Sequence, residues 1–193
     1  EVEAKAFKDC SKLVELSFNP YSNKIKKDAF ENCTYNGKHL TILPTNDILE
    51  KSMRFYELFF KIGSITKLTI SSQVKTIGDN AFCGFSTLTS IVIPPSVTHI
   101  EQFAFKDCMQ LNQIEIDPSI KIKRNAFENC SINHLIFSTK KKINSNKIVN
   151  FKSATEVTFL SQVINIGSKS FSGYSKLTKI TIPSTVKTIE DLA

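Results

Sequence analysis

Three histidines and five cysteines are the side chains of this sequence that could bind a metal ion or attack a substrate. The histidines lie far apart in the chain, at His39, His99 and His134. No CxxC spacing is present among the cysteines, which are Cys10, Cys33, Cys83, Cys108 and Cys130, so a zinc site is not indicated. No Ser/His/Asp spacing, phosphate-binding glycine loop or carboxylate pair stands out. The sequence therefore predicts a protein that is not an enzyme and that holds no metal ion or cofactor.

A repeat of twenty-odd residues determines where these side chains lie. Residues 77–99 read IGDNAFCGFSTLTSIVIPPSVTH, and the pattern returns from residue 100 as IEQFAFKDCMQLNQIEIDPSIK. Traced along the chain, the repeat starts at residues 2, 25, 48, 77, 100, 122, 143 and 166, with a partial ninth copy at 189. Self-similarity at such a period is typical of a solenoid, in which each repeat buries its apolar face against its neighbours. We therefore expect a single domain of eight repeats over residues 1–193.

Each repeat carries two short extended segments. Apolar and polar residues alternate over residues 88–93, which predicts a strand with one buried face, and Pro94 ends that strand. Residues 97–100 predict a second short strand, and the Ala-Phe pair beyond the next turn predicts a single helical turn. Stacking of the repeats then gives a right-handed curved rod, with a parallel concave β-sheet and with short strands and one-turn helices on the convex side.

Phenylalanine and cysteine recur at fixed positions of the repeat. Phe82, Phe105, Phe127 and Phe171 are expected to be buried and to stack as a ladder along the rod. Four of the cysteines follow a repeat phenylalanine by three residues, and Tyr174 is among the larger residues that fill the same position elsewhere. The position is therefore interpreted as a buried apolar one that holds free thiols. A disulfide between stacked repeats is the alternative.

The strand positions that point away from the core form two rows on the predicted concave sheet. The first row is Glu15, His39, Lys67, Ser90, Gln113, His134, Glu156 and Lys179. The second row is Ser17, Thr41, Thr69, Val92, Glu115, Ile136, Thr158 and Thr181. Their uncharged or mixed character suits a protein partner better than a polyanion, although a merely solvated sheet face would also favour β-branched residues. His39 and His134 stand four repeats apart, about 20 Å, so they cannot share a metal ion.

The pattern LxxIxIPxxVxxIGxxAFxxC resembles the BspA-like, or Treponema-type, leucine-rich repeats. The resemblance is carried by Ala-Phe pairs, four of them with cysteine three residues beyond the phenylalanine: Ala6-Phe7, Ala29-Phe30, Ala81-Phe82, Ala104-Phe105 and Ala126-Phe127, with Ser170-Phe171 as a variant. It covers essentially the whole chain, and repeats three and seven depart from it. It implies an α/β leucine-rich-repeat solenoid that binds a protein, in adhesion or in recognition of a host or partner at a cell surface. An intracellular leucine-rich-repeat scaffold or adaptor is the alternative, which free buried thiols favour.

The formal net charge of +7 raises the question of an anionic partner. The lysines are scattered, with one short run at Lys140–Lys142. Proteins that bind nucleic acid usually cluster their charge, so the sequence argues against a nucleic-acid partner. No stretch of about eighteen apolar residues is present, so no transmembrane helix is expected. The resemblance favours a secreted or cell-surface location, with a cytoplasmic one as the alternative.

Three further stretches carry expectations of their own. The insertion Leu49–Phe60 has a helical period and is interpreted as a longer outer helix that packs on its neighbours, or as an aromatic anchor for a partner. Asn32-Cys-Thr34 and Asn129-Cys-Ser131 are N-glycosylation acceptor sequences and are consistent with secretion. The chain begins and ends inside a repeat, so we expect it either to continue in a longer protein or to associate end to end.

Overall fold

The computed structural model describes residues 2–18, 26, 28–33, 39–42, 48–49, 65–139, 142–143, 151–160 and 162–193. The first strands of the repeats are Glu15–Phe18 (β1), His39–Ile42 (β2), Lys67–Ile70 (β4), Ser90–Val92 (β6), Gln113–Ile116 (β8), His134–Phe137 (β10), Glu156–Phe159 (β11) and Lys179–Thr181 (β13). The second strands are Ile48–Leu49 (β3), Thr76–Ile77 (β5), His99–Ile100 (β7), Lys121–Ile122 (β9), Asn165–Ile166 (β12) and Thr188–Ile189 (β14).

All strand pairs among the described residues are parallel, and the first strands make one sheet in the order β1-β2-β4-β6-β8-β10-β11-β13. The second strands make a four-stranded sheet, β3-β5-β7-β9, and a two-stranded one, β12-β14. A strand therefore pairs with the equivalent strand of the next repeat. The chain is a parallel β-solenoid, as the repeat pattern predicts.

Alternation along the first strands places every second side chain in the core. In β8, Ile114 and Ile116 are buried, whereas Gln113 and Glu115 are half-buried on the other face. The same alternation holds in β2, β10 and β11. Full burial of an isoleucine or phenylalanine side chain contributes about 1.5–3 kcal/mol relative to exposure. The inward row thus holds the sheet together and fixes which side chains face outward.

The segments after the second strands are hydrogen-bonded turns, so the prediction of one-turn helices on the convex side is not confirmed. The turn at residues 80–84 is typical: Asn80 and Gly84 both have positive φ, of 55° and 82°. Left-handed residues interrupt any helix, because L-residues with a side chain strongly prefer the right-handed region. The same two turn positions have positive φ in other repeats, at Lys5, Asp9, Asn32, Phe103, Asp107, Asn125, Asn129, Lys169, Gly173 and Leu192.

The phenylalanine ladder is confirmed in its middle and wrong at one end. Phe82 and Phe105 are fully buried and stack 5.2 Å apart, and Phe127 stacks on Phe105 at 5.0 Å while remaining partly exposed. The next ring in contact is Phe151, 5.2 Å from Phe127. Phe171 is only partly buried and instead contacts the strand residues Phe137 and Phe159.

The insertion is described only at its first residue. Leu49 lies in strand β3, which pairs with β5. The predicted helix therefore does not begin at Leu49. Residues 50–60, with the aromatic residues of the insertion, lie outside the described residues.

Apolar side chains are exposed at both ends of the described solenoid. Ile180, Ile182 and Ile189 have exposed fractions of 43%, 43% and 56%, whereas their equivalents Ile114, Ile116 and Ile100 in inner repeats are buried. At the other end, Phe7 is 40% exposed although one side of its ring stacks on Phe30 at 5.0 Å. The reason is that a repeat buries its apolar face only against a neighbouring repeat.

Candidate functional site

The outward residues of the eight-stranded sheet lie in two in-register rows, and we call these two rows together the sheet face. The first row follows the strand pairing from Glu15 and His39 at one end to Glu156 and Lys179 at the other. In the second row, Glu115 pairs with Val92 on one side and with Ile136 on the other. Parallel strands lie about 4.8 Å apart, so neighbouring side chains of a row can contact one ligand.

Two histidines of the first row reach diagonally toward the second row of the next strand. His39 Nε2 lies 2.6 Å from Thr69 Oγ1, and His134 Nε2 lies 2.9 Å from Thr158 Oγ1. Both distances are hydrogen bonds between residues of adjacent strands. These bonds were not predicted from the sequence, although in both places a histidine is followed in the next repeat by a threonine two positions further along.

Among the described residues, an ion pair lies on the sheet face across the strands β11 and β13. Lys179 Nζ donates a hydrogen bond to Glu156 Oε1, and His134 Nε2 lies 3.9 Å from the same oxygen. The hydrogen bond from Lys179, with the charges of His134 and Lys179, holds the pKa of the Glu156 carboxyl below its usual range. The charged groups of this region of the face therefore pair with each other.

The middle of the sheet face is different, because it combines exposed aliphatic surface with a carboxylate. Val92 is 52% exposed, and Glu115 and Ile136 are half-buried. Among the described residues, no lysine, arginine or histidine forms an ion pair with Glu115. This part of the face thus presents aliphatic surface together with one carboxylate.

The charge of the sheet face does not follow the charge of the chain. The two rows contain the glutamates Glu15, Glu115 and Glu156 and the lysines Lys67 and Lys179, although the whole chain carries +7. The excess of lysine therefore lies outside the face. A polyanion would find little attraction here, because its affinity comes from clustered lysine and arginine.

The five cysteines are free thiols. Cys108 Sγ donates to Phe82 O at 3.2 Å, and Cys130 Sγ donates to Phe105 O at 3.0 Å, so each thiol is tied to the preceding repeat. A hydrogen bond with Cys130, together with burial, raises the pKa of the Cys108 thiol, and the same contact lowers the pKa of Cys130. These contacts give the cysteine position a packing role.

The histidines are dispersed over the molecule. His39 and His134 lie on β2 and β10, four strand spacings apart, and His99 lies in the second sheet beside Thr98, with Thr98 Oγ1 2.9 Å from its Nδ1. Across the described part of the chain, no group of three His, Cys, Asp or Glu residues is placed to hold a metal ion. No helix among the described residues has the length and apolar character needed to cross a membrane.

Solved structures of leucine-rich repeat proteins resemble the chain. One from Bacteroides ovatus is 20% identical with a TM-score of 0.45, over 96% of this chain and 53% of that one. A leucine rich cell surface protein from Faecalibacterium prausnitzii is 24% identical with a TM-score of 0.44, over 65% and 32%. A leucine-rich repeat protein from Eubacterium ventriosum is 21% identical with a TM-score of 0.33, over 80% and 50%. The chain thus spans about half or less of each solved protein.

The sequence comparison is more specific than the structural one. No curated protein sequence matches the chain significantly. The profile of the BspA type leucine rich repeat region matches it in six copies, over residues 1–57, 52–122 and 75–193. Because these matches cover the whole length, the chain belongs to the BspA-type leucine-rich repeat family.

Proposed function

We propose that this chain is a non-enzymatic protein-binding module, and that it acts in adhesion or partner recognition through the sheet face. Leucine-rich repeats are a protein-interaction scaffold, and solenoids usually bind through an extended face. The observation that carries the proposal is the middle of the sheet face. There Val92 is exposed beside Glu115 and Ile136, on strands whose opposite sides are fully buried.

The scaffold under this face supports binding because it is ordered before a partner arrives. Ile91, Ile114 and Leu135 lie behind the middle of the face and are at most 2% exposed. A face that is already rigid loses little conformational entropy on association. The candidate partner-binding residues are Glu15, His39, Lys67, Thr69, Ser90, Val92, Gln113, Glu115, His134, Ile136, Glu156, Thr158, Lys179 and Thr181.

The experiment measures binding of the purified chain to a panel of extracellular-matrix and plasma proteins by biolayer interferometry. We expect the double variant Val92→Arg/Ile136→Arg to weaken binding to any hit by at least ten-fold. The control Thr98→Arg, an exposed position beside the second sheet, should leave it unchanged. A hit that ignores the face variant, or a panel without any hit, contradicts the proposal.

A surface or secreted location belongs to the same proposal, and an intracellular scaffold is the second candidate. The free thiols favour the second, because disulfides are rare in reducing compartments. Asn32 and Asn129 favour the first, since both are exposed on outer turns and could carry a glycan. Immunofluorescence on intact and permeabilised source cells decides between them: staining of intact cells supports adhesion, and staining only after permeabilisation supports the scaffold.

The domain organisation, the handedness of the rod and the association of its ends are inferred as well. We infer that the chain is one continuous domain of eight repeats and that its rod is right-handed, because parallel crossover connections are right-handed in almost all proteins. We also infer that the exposed apolar ends can associate with each other. The partner on the sheet face is a protein and not a nucleic acid, for which the mixed charge of the face is unsuited.

A further inference from the structure

We propose that the middle of the sheet face binds a basic side chain of the partner protein, an arginine or a lysine, with its cationic head on Glu115 and its methylene stem between Val92 and Ile136. This inference rests on the proposed function and specifies the chemistry of the partner. It uses three residues of one row on the adjacent strands β6, β8 and β10.

The first step is that the Glu115 carboxylate is left open by its neighbours. His134 is directed toward Thr158 and Glu156 of the next strand, away from β8. On the other side, Ser90 of β6 stands diagonally opposite Glu115, and its side chain is short and uncharged. In the region of β6, β8 and β10, which the structure describes completely, Glu115 has no cationic partner.

The second step is the aliphatic surface on both sides of this carboxylate. Val92 and Ile136 are the row neighbours of Glu115, each about 4.8 Å away across the strand spacing. Val92 is 52% exposed, which is unusual for an aliphatic side chain in the middle of a sheet. Lysine and arginine bury their methylene stems on such surface while the charged head meets a polar group.

The third step is charge complementarity with partial desolvation. Glu115 is half-buried between two aliphatic neighbours, so a docked partner would exclude water from the ion pair. An ion pair that is desolvated at the centre of an interface contributes more than one at its rim. Arginine fits better than lysine, because its planar fork can bind both carboxylate oxygens and is more weakly hydrated.

The experiment selects random 12-residue peptides displayed on phage against the full 193-residue chain and measures selected synthetic peptides by fluorescence polarisation. We expect enrichment of arginine or lysine next to aliphatic residues. Glu115→Gln should weaken the binding of such a peptide by at least ten-fold. Norleucine in place of the basic residue of the peptide should weaken binding by the same amount. The two changes together should weaken binding little more than either one alone. The matched control is Glu101→Gln, a carboxylate that lies after β7 and outside the face.

The outcomes separate this inference from the proposed function. The inference is overturned if Val92→Ala and Ile136→Ala abolish peptide binding while Glu115→Gln and the norleucine change leave it unaltered. That result would still support the proposed protein-binding face. Peptides that bind without any dependence on the face, or a selection that yields no peptide, overturn both. Glu115→Lys gives a further check, since the selection should then enrich acidic peptides.

Discussion

A single residue stabilises this molecule chiefly through contacts with the equivalent residues of the neighbouring repeats. Phe105 shows this most clearly: it is fully buried between the rings of Phe82 and Phe127, at 5.2 and 5.0 Å. Its ring therefore contributes both hydrophobic burial and stacking, and no single repeat could supply this environment by itself.

Replacement of the Phe105 ring should strongly destabilise the chain. We expect Phe105→Ala to lower the free energy of unfolding by about 3–5 kcal/mol, because it removes a buried ring and leaves a cavity. Urea denaturation followed by circular dichroism measures this. Met109→Ala is the control, since Met109 is 60% exposed and should cost little. A Phe105→Ala loss no larger than that of the control contradicts the ladder.

The thiols should differ in reactivity. Cys130 is half-buried with a lowered pKa, whereas Cys108 is fully buried with a raised one. Because the thiolate is the nucleophile, iodoacetamide should label Cys130 before Cys108 in the folded chain. Peptide mass spectrometry after timed labelling shows the order. Labelling of the denatured, unreduced chain should then reach all five cysteines, and a count of three or one would show a disulfide.

Among the elements, the turns restrict the residue type at their positions more narrowly than the strands do. Strands here accept any alternating apolar pattern, but each outer turn needs left-handed backbone at fixed positions. The position before the cysteine site holds only Asp, Asn or Gly among the described turns, at Asp9, Asn32, Gly84, Asp107, Asn129 and Gly173. These are the residues that reach positive φ at least cost.

Substitution of Gly84 tests this requirement at φ 82°. We expect Gly84→Val to lower the free energy of unfolding by about 1–2 kcal/mol or more, because a β-branched side chain opposes left-handed backbone. Gly84→Asn is the matched control and should cost clearly less, since asparagine takes this position at Asn32 and Asn129. Thermal denaturation compares the two. Equal losses would show that the turn does not select for backbone conformation.

The ion pair across β11 and β13 gives the sheet a pH dependence. The pKa of Glu156 is lowered in the folded state by Lys179, so the pair stabilises the fold at pH above the ordinary glutamate pKa. That contribution is lost as the pH falls through the folded-state pKa. Lys179→Gln should raise the titration midpoint of Glu156, measured by carboxyl NMR, and Lys187→Gln should not. An unchanged midpoint in Lys179→Gln would mean that the pair does not form in solution.

For the whole molecule, the exposed apolar ends predict self-association. Ile180, Ile182 and Ile189 expose apolar surface beside the edge strand β13, which also has unpaired backbone groups. Both features favour addition of another chain.

We expect the 193-residue chain by itself to associate, so that the mass from light scattering rises above that of one chain over a tenfold concentration range. Ile180→Lys/Ile182→Lys should reduce the rise, because charge on an edge opposes strand addition. The control Val92→Lys places the same charge on the sheet face. A monomer at every concentration contradicts the expectation.

The repeat pattern was enough to predict which strand side chains face the core and which face outward. The period of the repeat and the alternation within it were enough to predict the inward Ile114 and Ile116 and the outward Gln113 and Glu115, because side chains of a strand alternate whatever their neighbours are. In-register stacking followed as well, since one repeat can bury its apolar face only on the equivalent face of the next.

The directions of the side chains and the places where the repeat is imperfect depend on packing between layers and could not be predicted from the repeat pattern. The Phe151 ring contacts the Phe127 ring in a tilted arrangement although Phe151 stands at the cysteine position of its repeat, because ring contacts depend on the space that neighbouring layers leave. The outer turns likewise use left-handed residues where the pattern suggested helix. His134 is directed toward Thr158, so among the described residues it does not pair with Glu115, and this follows from distances between layers that a one-dimensional pattern does not contain.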